Sequence, residues 1–185
     1  VYKHNIKINT LKDSNLPVTE VKMKISKKGI ELIKSFEGTK LKSYEDSTGL
    51  PTIGIGTTRY PNGNSVKIGD TCTLEQAETY LKHDLERFEE SVNRLVGLKI
   101  HQFMYDSLVS FAYNLGAGAL QSSTLLKKVN LGKFKEASEE FLKWDRAKVK
   151  GVSTKIAGLT RRRQAEKDLF LQGLKEQEIN DIIRG

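Results

Sequence analysis

The chain has 185 residues and a net charge of +8, with 37% hydrophobic and 29% charged residues, the composition of one folded domain or of two lobes sharing a long element. It holds no run near the ~20 apolar residues of a membrane span and no apolar leader, and a single cysteine, Cys72, which excludes an internal disulfide. The positive excess favours a polyanionic partner. Nucleic acid is not expected, because no RNP-type aromatic motif, zinc-ligand pattern or basic zipper accompanies the charge.

Residues 1–24 read as a separate arm, either mobile or laid on the main domain as a short strand, with few large apolar residues and a Leu16-Pro17 break. Ser26 is placed to N-cap a helix carrying Ile30, Ile33 and Phe36 on one face, and Gly38 to end it just after Glu37. Residues 39–70 are rich in Gly, Pro and hydroxyls, with Tyr44, Ile53, Ile55, Tyr60 and Val66 among them and an Asn62-Gly63 turn signal. This predicts a small antiparallel sheet of two or three strands, too small to stand alone and so packed on helices.

Thr73-Leu74-Glu75-Gln76 is a capping box. Leu74, Ala77, Leu81, Leu85, Phe88, Val92 and Leu95 follow at steps of three or four, which predicts a long amphipathic helix linking the sheet lobe to the rest. Phe103 to Tyr113 is apolar all round and predicts a buried helix. Ser122 or Ser123 is expected to cap a short helix through Val129, with further helices over 134–144 and 160–170. A C-terminal tail from Leu174 places Ile179, Ile182 and Ile183 on one side of another turn or two.

Glu37, Asp46 and Thr52 stand in an E-x8-D-x5-T spacing, one carboxyl ending an apolar helix and the other in a polar loop. Cleavage of a glycosidic bond asks for such a pair, a protonated acid in an apolar setting and a second carboxylate in a wetter one. The negative pole of the helix C-terminus and partial desolvation are expected to favour the protonated form of Glu37. Asp46, beside Ser47 and Thr48, is expected to stay ionised and either to stabilise a cationic sugar centre or to help activate water. Thr52 is suited to hold that water. Sequence leaves the carboxyl separation, and so inversion or retention, open. His4, His83 and His101 are dispersed, so no metal site, Ser-His-Asp triad or cofactor is expected.

Several segments then fall in one order: Ser35-Phe36-Glu37-Gly38, Tyr44-Glu45-Asp46-Ser47-Thr48-Gly49, Thr52-Ile53-Gly54-Ile55-Gly56, Leu108 to Gly116, Ser122 to Leu126, Trp144, and Gly158-Leu159 leading into Arg161-Arg162-Arg163-Gln164-Ala165-Glu166. Over residues 25–172 the chain resembles the phage-type lysozymes, endolysin muramidases that cut bacterial peptidoglycan. The resemblance implies an α+β, mainly helical fold in which a small antiparallel sheet lobe (39–70) is joined by a long helix to a helical lobe (73–172), with the catalytic domain over 25–173. It implies Glu37, Asp46 and Thr52 as catalytic residues and a cleft wall containing Tyr113 and Asn114. Asn114 is read as a sugar contact or a helix C-cap, Ser123 as a substrate contact or a helix cap, and Trp144 as a sugar platform or a core residue. Arg161 to Arg163 are expected to pair with Asp and Glu. Thr57 stands where the family often has His.

The resemblance further implies hydrolysis between N-acetylmuramic acid and N-acetylglucosamine by a monomer. Such an enzyme waits in the host cytoplasm until a holin opens the way to the wall. Two other activities compete: a lytic transglycosylase, against which Asp46 and Thr52 argue, and a non-enzymatic cationic protein that disrupts membranes.

Overall fold

The computed structural model describes residues 22–46 and 48–185. Most of the expected N-terminal arm, residues 1–21, therefore lies outside the described residues, as does Ser47. Lys22, Met23 and Lys24 lead into α1 (Lys27–Glu37), and side chains of the helical lobe hold this entry. The amide of Asn93 brackets the Met23 backbone, accepting from its N–H at 2.9 Å and donating to its carbonyl at 2.9 Å, while Glu89 accepts from Ile25 N–H at 2.7 Å. Asp106 accepts from the Ser26 N–H at 2.9 Å and from its hydroxyl, so the N-cap of α1 is itself anchored to the buried centre of the molecule.

Strands β1 (Lys40–Glu45) and β2 (Pro51–Gly54) pair antiparallel with Tyr44 opposite Thr52. Isolated bridges Lys42–Thr71, Ile53–Thr57 and Arg59–Ser65 complete the sheet lobe. It leans on α2 (Leu74–Leu95) at Gly54, whose φ is +67° and where a Cβ would lie 3.1 Å from Ala77 Cβ. Both facts call for glycine there. At 22 residues α2 is about 33 Å long, enough to run from the sheet lobe into the helical lobe. Its buried face is Ala77, Leu81, Leu85, Phe88 and Val92, and Thr73 and Gln76 form the expected capping box.

Helix α3 (Gln102–Leu115) is the core of the helical lobe, buried at every residue from Met104 to Ala112. Around it lie α4 (Ala117–Ser122), α5 (Thr124–Asn130), α6 (Phe134–Glu140), a single 3-10 turn (Phe141–Trp144) and α7 (Ala157–Arg184). Trp144, Phe111, Phe141 and Phe170 form an edge-to-face chain with centroids 5.4, 5.7 and 5.6 Å apart. Trp144 is thereby packed against the core.

Three features depart from the sequence expectation. A second hairpin, β3 (Arg146–Val149) and β4 (Val152–Lys155), fills a stretch with no predicted strand. A short helix, α4, follows directly on α3. The helix expected from Thr160 instead starts at Ala157 and continues unbroken through the tail to Arg184, with Leu174 buried and Ile179, Ile182 and Ile183 exposed. No helix of the described residues is long and apolar enough to cross a membrane.

Gly173 sets the approach of α7 to α3. A Cβ at Gly173 would lie 2.8 Å from Met104 N and 3.1 Å from Phe103 Cβ. Alanine favours a helix over glycine by about 1 kcal/mol, but here it meets backbone that cannot swing away. Gly173→Ala is therefore expected to lower stability by about 1–3 kcal/mol, read as a lower urea midpoint at unchanged slope.

Candidate active site

Glu37 is the last residue of α1, half-buried, with Gly38 (φ +70°) turning the chain into β1. Its Oε1 lies 2.5 Å from Nη1 of Arg162 on α7. Arg162 is buried and held from behind: its Nε donates to Glu166 at 3.2 Å and its Nη2 to the Ser110 carbonyl at 3.3 Å. Glu166 is fully buried and also accepts from the Ser110 hydroxyl at 2.8 Å and from Arg163 Nη2 at 3.0 Å. Arg163, likewise fully buried, donates to Asn114 Oδ1 at 3.0 Å and lies against the Phe111 ring. One carboxylate thus organises two guanidinium groups, one facing Glu37 and the other Asn114.

The sheet lobe meets this arrangement at Gly56 and Tyr113. The Tyr113 hydroxyl donates to the Ile55 carbonyl at 2.9 Å, tying α3 to the segment after β2. A Cβ at Gly56 would lie 3.2 Å from Tyr113 Oη and 3.6 Å from Glu37 Oε2. Arg162 therefore pins one oxygen of Glu37 and leaves the other beside Gly56 and Tyr113. Burial, reinforced by the charges of Glu37 and Asp84, pushes the Tyr113 phenol far above its ordinary range, so it acts only as a neutral donor.

Asp46 lies just past β1, in the turn before β2. Its Oδ1 accepts from the Thr48 hydroxyl at 2.7 Å, the Thr48 N–H at 2.8 Å and the Leu50 N–H at 2.9 Å. The Thr48 hydroxyl first, then these backbone donors, hold its carboxyl below the usual carboxylate range. Tyr44, two residues before Asp46, has its phenol raised by burial and then by the charges of Glu37 and Asp46. Thr52, buried opposite Tyr44, donates its hydroxyl to the Leu50 carbonyl at 3.0 Å, and no group among the described residues donates to the hydroxyl oxygen.

Glu37, Tyr113 and Asn114 are thus joined through Arg162, Glu166, Arg163 and the Gly56 segment, while Asp46 and Thr52 belong to the β1–β2 end of the sheet lobe. Ser123 does not join them. It is buried at the α4–α5 junction, accepts from Leu126 N–H at 3.0 Å and donates to the Leu120 carbonyl at 2.7 Å, the contacts of a helix cap. Arg162 is the site residue that sequence reading left without a specific partner. The one signal for it was the spacing of Arg162 and Arg163 to Glu166, which puts all three on one side of a helix. Among the described residues no cluster of His, Cys, Asp or Glu is placed to hold a metal ion.

Thr57 donates its hydroxyl to Asp84 Oδ2 at 2.7 Å, a link from the sheet lobe to α2. Burial pushes the Asp84 carboxyl above its usual range against the opposing effect of this hydrogen bond. Thr57→Val is expected to cost about 1.5–2 kcal/mol at pH 7. The folded state then holds the Asp84 proton still more tightly than the unfolded state, so the deficit against wild type grows as pH rises through the raised value and shrinks on acidification. Urea midpoints of both proteins at pH 4 and pH 7 check this.

A small sheet lobe joined by the long helix α2 to a helical lobe, with the half-buried Glu37 carboxyl at the end of α1, is a lysozyme-like fold. The Phage lysozyme family model matches residues 34–166. The endolysin of Acyrthosiphon pisum secondary endosymbiont phage 1 is 44% identical over 148 residues, 80% of this chain and 98% of that protein. Among solved structures, an endolysin from Escherichia coli O157:H7 phage FAHEc1 superposes with a TM-score of 0.78 at 44% identity, over 80% of this chain and 94% of that one. The muramidase domain of SpmX from Asticaccaulis excentricus gives 0.74 at 39%, over 80% and 97%. The chain belongs to the phage lysozyme family.

Proposed function

We propose that the chain is a lysozyme that hydrolyses the β-1,4 bond between N-acetylmuramic acid and N-acetylglucosamine in bacterial peptidoglycan, as an endolysin does in host cell lysis. The observation that carries the reading is the Glu37 carboxyl at the end of α1, pinned through Oε1 by Arg162 with Oε2 left on the cleft side. Glu37 gives its proton to the glycosidic oxygen as the bond from that oxygen to the sugar C1 breaks, the electron pair leaving with the oxygen. Asp46, kept ionised by its three donors, opposes the positive charge that develops on the ring. A water that donates to Thr52 keeps its own lone pairs for attack on C1, and its surplus proton returns to a carboxylate. Tyr113 fixes the separation of the two walls, and Asn114, whose carbonyl is taken by Arg163, presents its amide NH2 to a sugar acetamido carbonyl or hydroxyl.

A monomer suffices for this chemistry, since every group named comes from one chain. Access to the wall is through a membrane opening made by a holin. Release of soluble fragments from purified, membrane-free sacculi tests the activity. Leakage from anionic vesicles with sacculi left intact would instead identify a membrane-disrupting protein.

A further inference from the structure

The β3–β4 hairpin plays no part in the chemistry above, yet it is rooted beside it. The connection from Ile156 to Arg162 is about 9 Å along α7 at 1.5 Å per residue, and Arg162 touches Glu37. Asp145 secures the root: its carbonyl accepts from the Ile156 N–H at 2.9 Å, and its carboxylate pairs with Lys155 at 3.1 Å and accepts from the Thr160 hydroxyl at 3.1 Å. The turn is Lys150-Gly151, both at positive φ (49° and 82°), the two-residue turn whose twist matches paired strands. All eight strand residues are exposed.

The register sorts these residues by chemistry. Arg146 faces Lys155 and Lys148 faces Ser153, while Ala147 faces Thr154 and Val149 faces Val152. Directly paired residues project to the same side of a hairpin. One face therefore carries Arg146, Lys148 and Lys155 with Ser153, and the other Ala147, Val149, Val152 and Thr154, with Lys150 at the tip. Asp145 offsets one of these cations and Arg146 is bonded to Ser153. Lys148 and Lys150 have no partner among the described residues.

We propose that this hairpin is a clamp for the carboxylates of the peptide stems borne by the glycan strand, engaging stems that flank the bond held at Glu37. The inference rests on the peptidoglycan reading of the site. Charge complementarity favours it, and so does placement. A hairpin fixed within two helix turns of the bound strand meets those carboxylates at high effective concentration, so individually weak exposed pairs become useful. A membrane surface gains no such advantage from the position of the hairpin next to the cleft.

The test compares wild type with Lys148→Gln/Lys150→Asn, the asparagine chosen to tolerate the left-handed turn. Both proteins act on purified sacculi and on the same sacculi with their carboxylates converted to amides. The expected result is about a fivefold rise in half-saturating concentration on native sacculi with unchanged turnover. No difference is expected on amidated sacculi, and the gap on native sacculi closes as salt is raised to about 0.5 M. An equal effect on both substrates, no effect on either, or an effect confined to binding of phosphatidylglycerol vesicles would overturn the clamp. Failure of wild type to cut either kind of sacculus would overturn the activity itself.

Discussion

Glu37→Gln is expected to lower the rate of sacculus lysis by about a thousandfold, the scale of a lost general acid, while the folded state loses about 1–2 kcal/mol, because the buried Arg162 keeps an acceptor there and its second counter-charge in Glu166. The amide carbonyl introduced by this substitution can still accept from Arg162 Nη1, so the position of α1 and the walls of the cleft are kept. What disappears is the ability of Glu37, whose Oε2 lies beside Gly56, to give a proton to the glycosidic oxygen. Unchanged circular dichroism and a urea midpoint lowered by no more than this loss implies, together with lost turbidity clearance, check both halves. Retained lysis by the folded variant would remove Glu37 from the mechanism.

Glu166→Ala has the largest expected effect on stability. The Glu166 carboxylate is fully buried and lies within 3.2 Å of Arg162 Nε and 2.9 Å of Arg163 Nε. Removing it leaves two buried guanidinium groups facing each other, with Glu37 the remaining counter-charge in contact with Arg162. Stripping one partner from such a buried set costs about 3–5 kcal/mol, or roughly 10 °C in Tm for a domain of this size. Because Arg162 is then no longer held toward Glu37, turnover of the surviving folded protein is expected to fall about 10- to 100-fold. Thermal unfolding and lysis rates measured below the new midpoint separate the two effects. Glu166→Gln keeps a partner for the Ser110 hydroxyl but not the charge, and should fall between wild type and alanine in stability.

How much of this could be read from the chain depends on the range of each interaction. Local signals were explicit. Ser26 and Thr73 mark helix starts, the apolar steps from Leu74 to Leu95 mark one face of α2, and Asp46 with Thr48 and Leu50 forms a turn from bonds two and four residues apart. The position of Glu37 at a helix end was legible for the same reason. The β3–β4 hairpin was not, because a ribbon exposed on both faces lacks the alternation of buried and exposed residues that betrays a strand. Thr160 looked like a helix start, but its hydroxyl bonds back to Ile156 and across to Asp145 inside a helix already under way. Gly173 permits close contact of α7 with Met104, a role that shows only when the two helices are placed together. The pairing of Arg162 with Glu37 spans 125 residues, and that of Tyr113 with Ile55 spans 58. Neither leaves a local trace, so the sequence offered the acid without the cation that orients it.

The mass spectrum of fragments released from purified sacculi tests the assignment of a water-using muramidase most directly. Glu37, Asp46 and Thr52 acting together predict fragments ending in a reducing N-acetylmuramic acid, each heavier by one water than the internally closed product. Fragments ending in 1,6-anhydro-muramic acid would mean that the sugar's own hydroxyl is the acceptor, and would contradict the roles given to Asp46 and Thr52. Fragments ending in reducing N-acetylglucosamine would contradict the choice of bond.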